Sequence, residues 1–194
     1  HCTLILKKSK SSQPNYWNWI KDYSRFNHTK KMNTLYLVTG GNIGDRKNIL
    51  EKAGDLIKKK IGKILKSSLI YETDAWGNTD QPSFYNQVHI VESSFSAEEI
   101  MNKILAIEKQ MGRVRTFKNA ARIIDIDILF FNNEIINTPD LIIPHIEISN
   151  RRFVLRPLSE ISPGLIHPVL KKSVADLLSE CKDPLNAFPL KTTF

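Results

Sequence analysis

From Thr34 onward the chain switches repeatedly between strand-like and helix-like spacing of its apolar residues. Thr34-Leu-Tyr-Leu-Val38 is rich in β-branched and aromatic residues and predicts a strand. It runs into Thr39-Gly-Gly-Asn-Ile-Gly44, a turn-prone glycine cluster. Asp45 then stands as a helix N-cap, and Ile49, Leu50, Ala53, Leu56 and Ile57 form an apolar stripe at helical spacing. Segments 64–73 and 84–93 read as two pairing strands, separated by a polar loop from Asp74 to Ser83 that contains Gly77 and Pro82. Ser96-Ala-Glu-Glu99 is a capping box, and Ile100, Ile104, Ile107 and Met111 carry an amphipathic helix forward to its stop at Gly112. A basic loop, 113–122, leads into a strand over 123–131.

The resulting order, βαββαβ, predicts an α+β fold: a ferredoxin-like sandwich whose helices cover one face of a mainly antiparallel sheet. C-terminal additions follow it. These are a loop ending at Pro144-His145, a short segment to Leu158, and a final helix from Ser173 to Cys181.

Composition narrows the class. With 194 residues, 41% hydrophobic and 25% charged, the chain has the material for one well-buried domain. No stretch approaches the roughly 18 uncharged apolar residues of a membrane helix, and the short apolar start at 2–6 is followed at once by Lys7 and Lys8. The expectation is a cytoplasmic protein with no membrane association. Cys2 and Cys181 make neither a disulfide framework nor a zinc cluster.

A net charge of +8 invites a nucleic-acid reading until its location is considered. Seven basic residues and one acidic residue lie in 1–31, so the remaining 163 residues carry only +2. Residues 1–31 therefore read as a basic leader, an upstream extension, tag or disordered tail, with Met32 as the natural start of a domain spanning 32–194. A nucleic-acid module of this topology would place basic and aromatic residues on its sheet face, whereas the last strand here carries aspartates, so no nucleic-acid partner is expected.

Those aspartates are the main chemical signal. In Ile124-Asp-Ile-Asp-Ile128 the period of two puts Asp125 and Asp127 on one face and the isoleucines on the other. The Cα atoms of the two aspartates are then about 6–7 Å apart. Like charges at that spacing repel unless a cation joins them, and Mg²⁺ takes one or two carboxylates together with water and substrate phosphates. The commoner explanation of a bare D-x-D is a strand with its polar face in water. Arg113, Arg115 and Arg122 bracket the pair, and arginine forks suit phosphate, although they also suit simple pairing with the aspartates. The glycine cluster 39–44 lacks the Gly-Lys-[Ser/Thr] ending of a Walker loop, and a strand-to-helix turn needing positive φ accounts for it.

Taken in order, the segments resemble the 6-hydroxymethyl-7,8-dihydropterin pyrophosphokinase family, from about Met32 to Leu190. The most specific match is Arg122-Ile-Ile-Asp-Ile-Asp-Ile-Leu129. Supporting matches are Gly40 to Gly44, Asp80-Gln-Pro-Ser-Phe-Tyr-Asn86, Glu108 with Gly112-Arg-Val-Arg115, Pro144-His145 and Asn150-Arg151-Arg152-Phe153.

The resemblance implies transfer of the β,γ-diphosphate of ATP to the pterin's hydroxymethyl oxygen, in folate biosynthesis, by a monomer. It assigns two Mg²⁺ ions to Asp125 and Asp127, and catalytic contacts with the triphosphate to Arg113 and Arg122. Arg115, His145 and Arg151 join the nucleotide contacts, and Glu108 lies near them. Phe84 and Phe153 would sandwich the pterin, Asn86 would read its amide edge, and groups at Thr73 and Trp76 would complete the pocket. Stacked aromatics and an amide side chain suit a flat heterocycle with a donor–acceptor edge. The chain departs from the family at Asn119-Ala-Ala121, where Trp-Gly-Pro is frequent in a loop that closes over substrates, at Phe84 in place of a common tyrosine, and at Leu105 in place of a polar residue.

Overall fold

A computed structural model describes residues 31–75, 81–114 and 120–190. The expectations for residues 1–30 of the leader, for Trp76, for Arg115 and for Asn119 lie outside the described residues.

The first half follows the predicted order: β1 (Asn33–Gly41), α1 (Arg46–Lys60), β2 (Lys63–Ser67), β3 (Tyr71–Thr73), β4 (Phe84–Ser93), α2 (Ala97–Gln110) and β5 (Asp125–Phe131). Local signals act where the sequence puts them. Asp45 accepts from the Asn48 amide at the start of α1. Ser96 and Glu99 form the reciprocal capping box of α2, and Gly112 leaves that helix at φ +85°. The sequence stretch 64–73 is two strands rather than one. The chain leaves the ladder between Ser67 and Tyr71, and β2 and β3 pair with different halves of β4.

The sheet is antiparallel in every ladder among the described residues, ordered β5-β1-β4-β3-β8, with β2 also on β4. Here β8 is Ala187–Pro189, and a separate ribbon pairs β6 (Ile136–Asn137) with β7 (Ile142–Ile143). One face of the sheet presents Leu35, Leu37, Val91, Ile126 and Ile128 to the apolar stripes of α1 (Leu50, Ala53, Ile57) and α2 (Ile100, Ile104, Ile107). Burying each of these leucine, isoleucine and valine side chains stabilises the fold by about 1.5–3 kcal/mol.

The opposite face is not left to water, contrary to the one-sided sandwich expected from the sequence. Val38, Val88, Leu129 and Phe130 pack there against α3 (Arg152–Ile161) and α4 (Val174–Glu180). Leu129 is the extra residue where the β1–β5 register shifts between Tyr36 and Leu37, so Leu129 and its neighbour Phe130 both join this second core. The helix α3 is absent from the sequence reading. Pro157 sits inside it, and an interior proline normally argues against a helix. Its own N-cap residue, Arg151, makes no side-chain cap bond. What holds it is burial of Val154, Leu155, Leu158 and Ile161.

Candidate active site

The same face, from Val38 at the margin of that second core onward, also forms the floor of a cleft: Val38 and Gly40 of β1, Asn86 and Phe84 of β4, and Asp125 and Asp127 of β5. Thr73, Asp74, Arg122, Arg151 and Phe153 make the walls. Alternation delivers this arrangement, because positions of one parity on each strand share a face. Gly40 pairs with Asn86 on one side and Asp125 on the other, so the three strands meet at that glycine.

Two glycines are required here for clearance rather than for a turn. β1 continues through Gly40 and Gly41, and the positive φ expected of the cluster belongs to Gly44 alone (φ +75°). A Cβ on Gly40 would lie 2.4 Å from Asn86 Oδ1, and one on Gly41 2.3 Å from the Ile123 carbonyl oxygen. The Asn86 amide nitrogen donates to Thr73 Oγ1 at 3.0 Å, and both residues are buried. This fixes the asparagine's orientation and leaves its second N–H for a ligand.

The two aspartates share the cleft but not their surroundings. Asp125 is held by two arginines: Arg113 bonds Oδ1, and Arg122 Nε lies 2.8 Å from Oδ2. The Arg122 N–H is not aimed along that line, so the contact is an ion pair without a hydrogen bond. Among the described residues no hydrogen bond or ion pair within 4.0 Å reaches the Asp127 carboxylate, although its backbone is paired with Val38 in the β1–β5 ladder. Burial, and then the Asp125 charge, push the Asp127 carboxyl up, against the opposing pull of His145, Arg151 and Arg122.

Glu108 stands behind Arg113. Its Oε1 accepts from Arg113 Nη1 at 2.5 Å and from the Ile126 amide at 2.9 Å, joining α2 to β5. Burial disfavours the Arg113 charge, but Asp125, Glu108 and Asp127 outweigh it and raise the guanidinium's pKa. Glu108 lines neither cavity at the site. The Arg122 guanidinium carbon lies 5.1 Å from the Phe84 ring centre, and that of Arg151 5.7 Å from Phe153. Each aromatic wall thus carries an arginine beside it.

A second groove opens beside the first, lined by Met101 of α2, Ile126 and Ile128 of β5, and Leu141, Ile142 and Ile146 of the following ribbon and loop. His145 stands in it, its Nδ1 accepting from the Glu147 amide at 3.2 Å, which leaves Nε2 to face a ligand. Asp127 lines both grooves.

The donor set fits a divalent cation of the hard, oxygen-loving kind. Asp125 and Asp127 project into one cleft, and among the described residues no group of three or more His, Cys, Asp or Glu converges to close a cage. Mg²⁺ bound through one or two carboxylates, with phosphate and water completing its shell, asks for no more than that.

Of the residues singled out from the sequence, Asp125, Asp127, Arg122, Arg151, Thr73, Phe84, Asn86 and Phe153 converge on the first groove and His145 on the second. Arg113 reaches the site through Asp125. Asp74 and Asn42 were not anticipated. Asp74 lines the cleft. Asn42, almost fully buried, accepts from the Arg122 amide at 2.8 Å, donates its own amide to the Arg122 carbonyl at 2.9 Å, and gives its side-chain N–H groups to Gln81 Oε1 and the Pro82 carbonyl. An asparagine within a glycine cluster was the available signal, but its partners lie about 40 and 80 residues away.

Comparison with known proteins agrees with this geometry. The model of the family described as 7,8-dihydro-6-hydroxymethylpterin-pyrophosphokinase (HPPK) matches residues 36–163. The 2-amino-4-hydroxy-6-hydroxymethyldihydropteridine pyrophosphokinase of Aquifex aeolicus is 39% identical over 149 residues, covering 77% of this chain and 92% of the relative. The folic acid synthesis protein fol1 of Pneumocystis carinii is 37% identical over 166 residues, 83% of this chain but 22% of its own length. The crystal structure of wild-type Plasmodium falciparum HPPK-DHPS with STZ-DHP superposes with a TM-score of 0.62 at 22% identity, over 77% of this chain and 43% of that one, and so shares the fold. The chain therefore spans about a fifth of the fol1 protein and under half of the Plasmodium chain. Among the described residues no helix is long and apolar enough to cross a membrane. With a family match across most of the described sheet and site, and a relative of 39% identity aligned over nearly its whole length, this chain belongs to the HPPK family.

Proposed function

We propose that the chain transfers the β,γ-diphosphate of ATP to the hydroxymethyl oxygen of 6-hydroxymethyl-7,8-dihydropterin, releasing AMP, as a step of folate biosynthesis. The observation that carries this reading is the position of Asp127, which lines two adjoining grooves. One has aromatic walls and an oriented amide, suited to a pterin. The other is apolar with a histidine at its edge, suited to a purine and its phosphates. The names of the relatives, pyrophosphokinase and folic acid synthesis protein, point the same way.

In this reading the pterin lies between Phe84 and Phe153 with its amide edge on Asn86, and groups at Thr73 and Trp76 close the pocket. The triphosphate runs past His145 and Arg151 to Arg113, Arg115 and Arg122. Arg113 and Arg122, which hold Asp125 in this structure, exchange part of that pairing for phosphate oxygens, while Glu108 keeps Arg113 extended. Mg²⁺, two ions in the full reading, supplies charge neutralisation on the triphosphate when bound at Asp125 and Asp127. The hydroxymethyl oxygen attacks the β-phosphorus, the bond from that phosphorus to the α–β bridging oxygen breaks, and AMP leaves with that oxygen. The hydroxyl proton passes to water. Positioning and charge stabilisation account for most of catalysis in such transfers, and no strong base is needed.

We take the working unit to be residues 32–194, a cytoplasmic monomer acting on these two small molecules without nucleic acid or membrane. The β5-β1-β4-β2 order across the sheet supports reading its core as ferredoxin-like. Chromatography of adenine nucleotides after incubation with ATP and Mg²⁺, with and without the hydroxymethyl pterin, tests the assignment. AMP formed only with pterin is the expected result, and no pterin-dependent AMP overturns it.

A further inference from the structure

Apart from Asp127, whose carboxyl is desolvated at the cleft, Glu108 and Asp183 are the buried carboxylates among the described residues. Glu108 is accounted for by Arg113. Asp183 lies in the C-terminal segment, lines neither groove, and has no part in the chemistry above.

We infer that Asp183 is a positioning residue for the substrate cleft: it caps, from 31 residues away, the helix whose N-cap residue is Arg151 and whose first turn carries Phe153. This inference rests on the proposed roles of Arg151 and Phe153 as phosphate and pterin contacts.

A helix begins with backbone N–H groups that have no partner within it, and Ser, Thr, Asp or Asn at the N-cap normally accepts from one of them. In α3 that position belongs to Arg151, whose side chain has no acceptor and makes no capping bond. Asp183 fills the vacancy. Its Oδ2 accepts from the Arg152 amide, the first of the helix, at 2.9 Å, and its Oδ1 accepts from the Leu185 amide at 3.0 Å. The negative charge also lies at the positive end of the helix dipole.

The link is reciprocal. The Arg152 guanidinium turns toward the C-terminal segment, donating from Nε to the Asp183 carbonyl at 3.0 Å and from Nη2 to the Cys181 carbonyl at 2.9 Å. Arg152 is thereby held at its backbone and at its side chain, while the residues on either side of it, Arg151 and Phe153, line the cleft. A fixed residue 152 sets where both neighbours point. Displacement of such groups by about 1 Å is enough to cost a large factor in rate.

The experiment uses the full chain with Asp183→Ala, Asp183→Asn and, as a control, Val174→Ala, which trims the same buried C-terminal layer without touching the clamp. Amide hydrogen exchange at 152–155 should quicken at least tenfold in Asp183→Ala while α1 and α2 are unchanged. The pterin dissociation constant, measured by calorimetry with Mg²⁺ and a non-hydrolysable ATP analogue, should rise at least tenfold. Asp183→Asn, which keeps one acceptor oxygen, should fall between wild type and alanine. Val174→Ala should bind pterin within twofold of wild type at whatever melting temperature it shows. Unchanged exchange at 152–155 overturns the cap, and a Val174→Ala chain that loses pterin affinity in step with Asp183→Ala overturns the positioning role. A wild-type chain that binds no pterin removes the substrate assignment and the positioning role with it, while the exchange measurement still decides the cap.

Discussion

Gly40 faces Asn86 across the β1–β4 ladder so closely that a Cβ on the glycine would stand 2.4 Å from the asparagine's Oδ1. The chain leaves out a side chain at this point so that a buried amide can face the cleft, oriented by Thr73.

Gly40→Ala must therefore push Asn86 off its bond to Thr73 or part the two strands. The expected result is a pterin dissociation constant raised at least tenfold, about 1.4 kcal/mol or more, read by calorimetry. Pterin affinity within twofold of wild type would refute the assignment of Asn86 to the heterocycle.

Asp127→Asn preserves shape while removing the charge that both grooves share. Turnover should fall by a factor on the order of 10³ or more, in line with loss of electrostatic stabilisation at a transferring group, and added Mg²⁺ should not restore it. Pterin affinity without nucleotide should stay within about threefold, because the aromatic walls are untouched. Near-normal AMP release by this variant at millimolar Mg²⁺ would sink the metal assignment.

Asn42 bonds two separate segments, one at Arg122 and one at Gln81–Pro82, so its variants should divide by which arm they lose. Asn42→Asp keeps the acceptor toward the Arg122 amide but sets a carboxylate against Gln81 Oε1 and the Pro82 carbonyl. It should chiefly raise KM for the pterin, whose pocket the 81–83 segment leads into. Asn42→Ala loses both arms and should lower kcat as well. Steady-state kinetics with each substrate varied in turn separate the two, and identical profiles for the variants would contradict the division.

His89 provides a pH-dependent term in stability away from the cleft. It is buried between Ser67 Oγ (2.8 Å) and Thr39 Oγ1 (3.3 Å), and burial, with a smaller contribution from Lys58, lowers its pKa from 6.5 to about 4. Between those values the unfolded state binds the extra proton, so stability is lost as pH falls through that window. The full loss is about 3 kcal/mol, from 1.36 kcal/mol per pKa unit. Urea unfolding of wild type and His89→Gln at pH 7 and pH 4 should show a shallower acid loss in the variant. Equal losses would show that His89 is not the group responsible.

The elements that declared themselves in the sequence carry their signals within a few residues. Asp45 and the Ser96/Glu99 box announce α1 and α2, and the final helix expected from Ser173 is α4, where the structure shows Ser173 and Asp176 capping its start. In β5 the two-residue period places Asp125 and Asp127 together whatever else the chain does. By contrast, α3 has an arginine where a cap should be and a proline within it, and both become acceptable only through partners elsewhere: Asp183 at its start and the second core along its side.

By itself the sequence determined the order of the main strands and helices, the shared face of the two aspartates, and the family whose motifs run along the chain, because propensity, capping and periodicity act over short separations. Only the tertiary structure decided that helices cover both faces of the sheet, that Gly40 and Gly41 serve clearance rather than a turn, and that Asp127 borders two grooves. It also decided that Asn42 and Asp183 hold distant segments in place. Those outcomes depend on which residues meet after the chain has closed loops of 30 to nearly 100 residues, and such meetings leave no periodic trace along the chain.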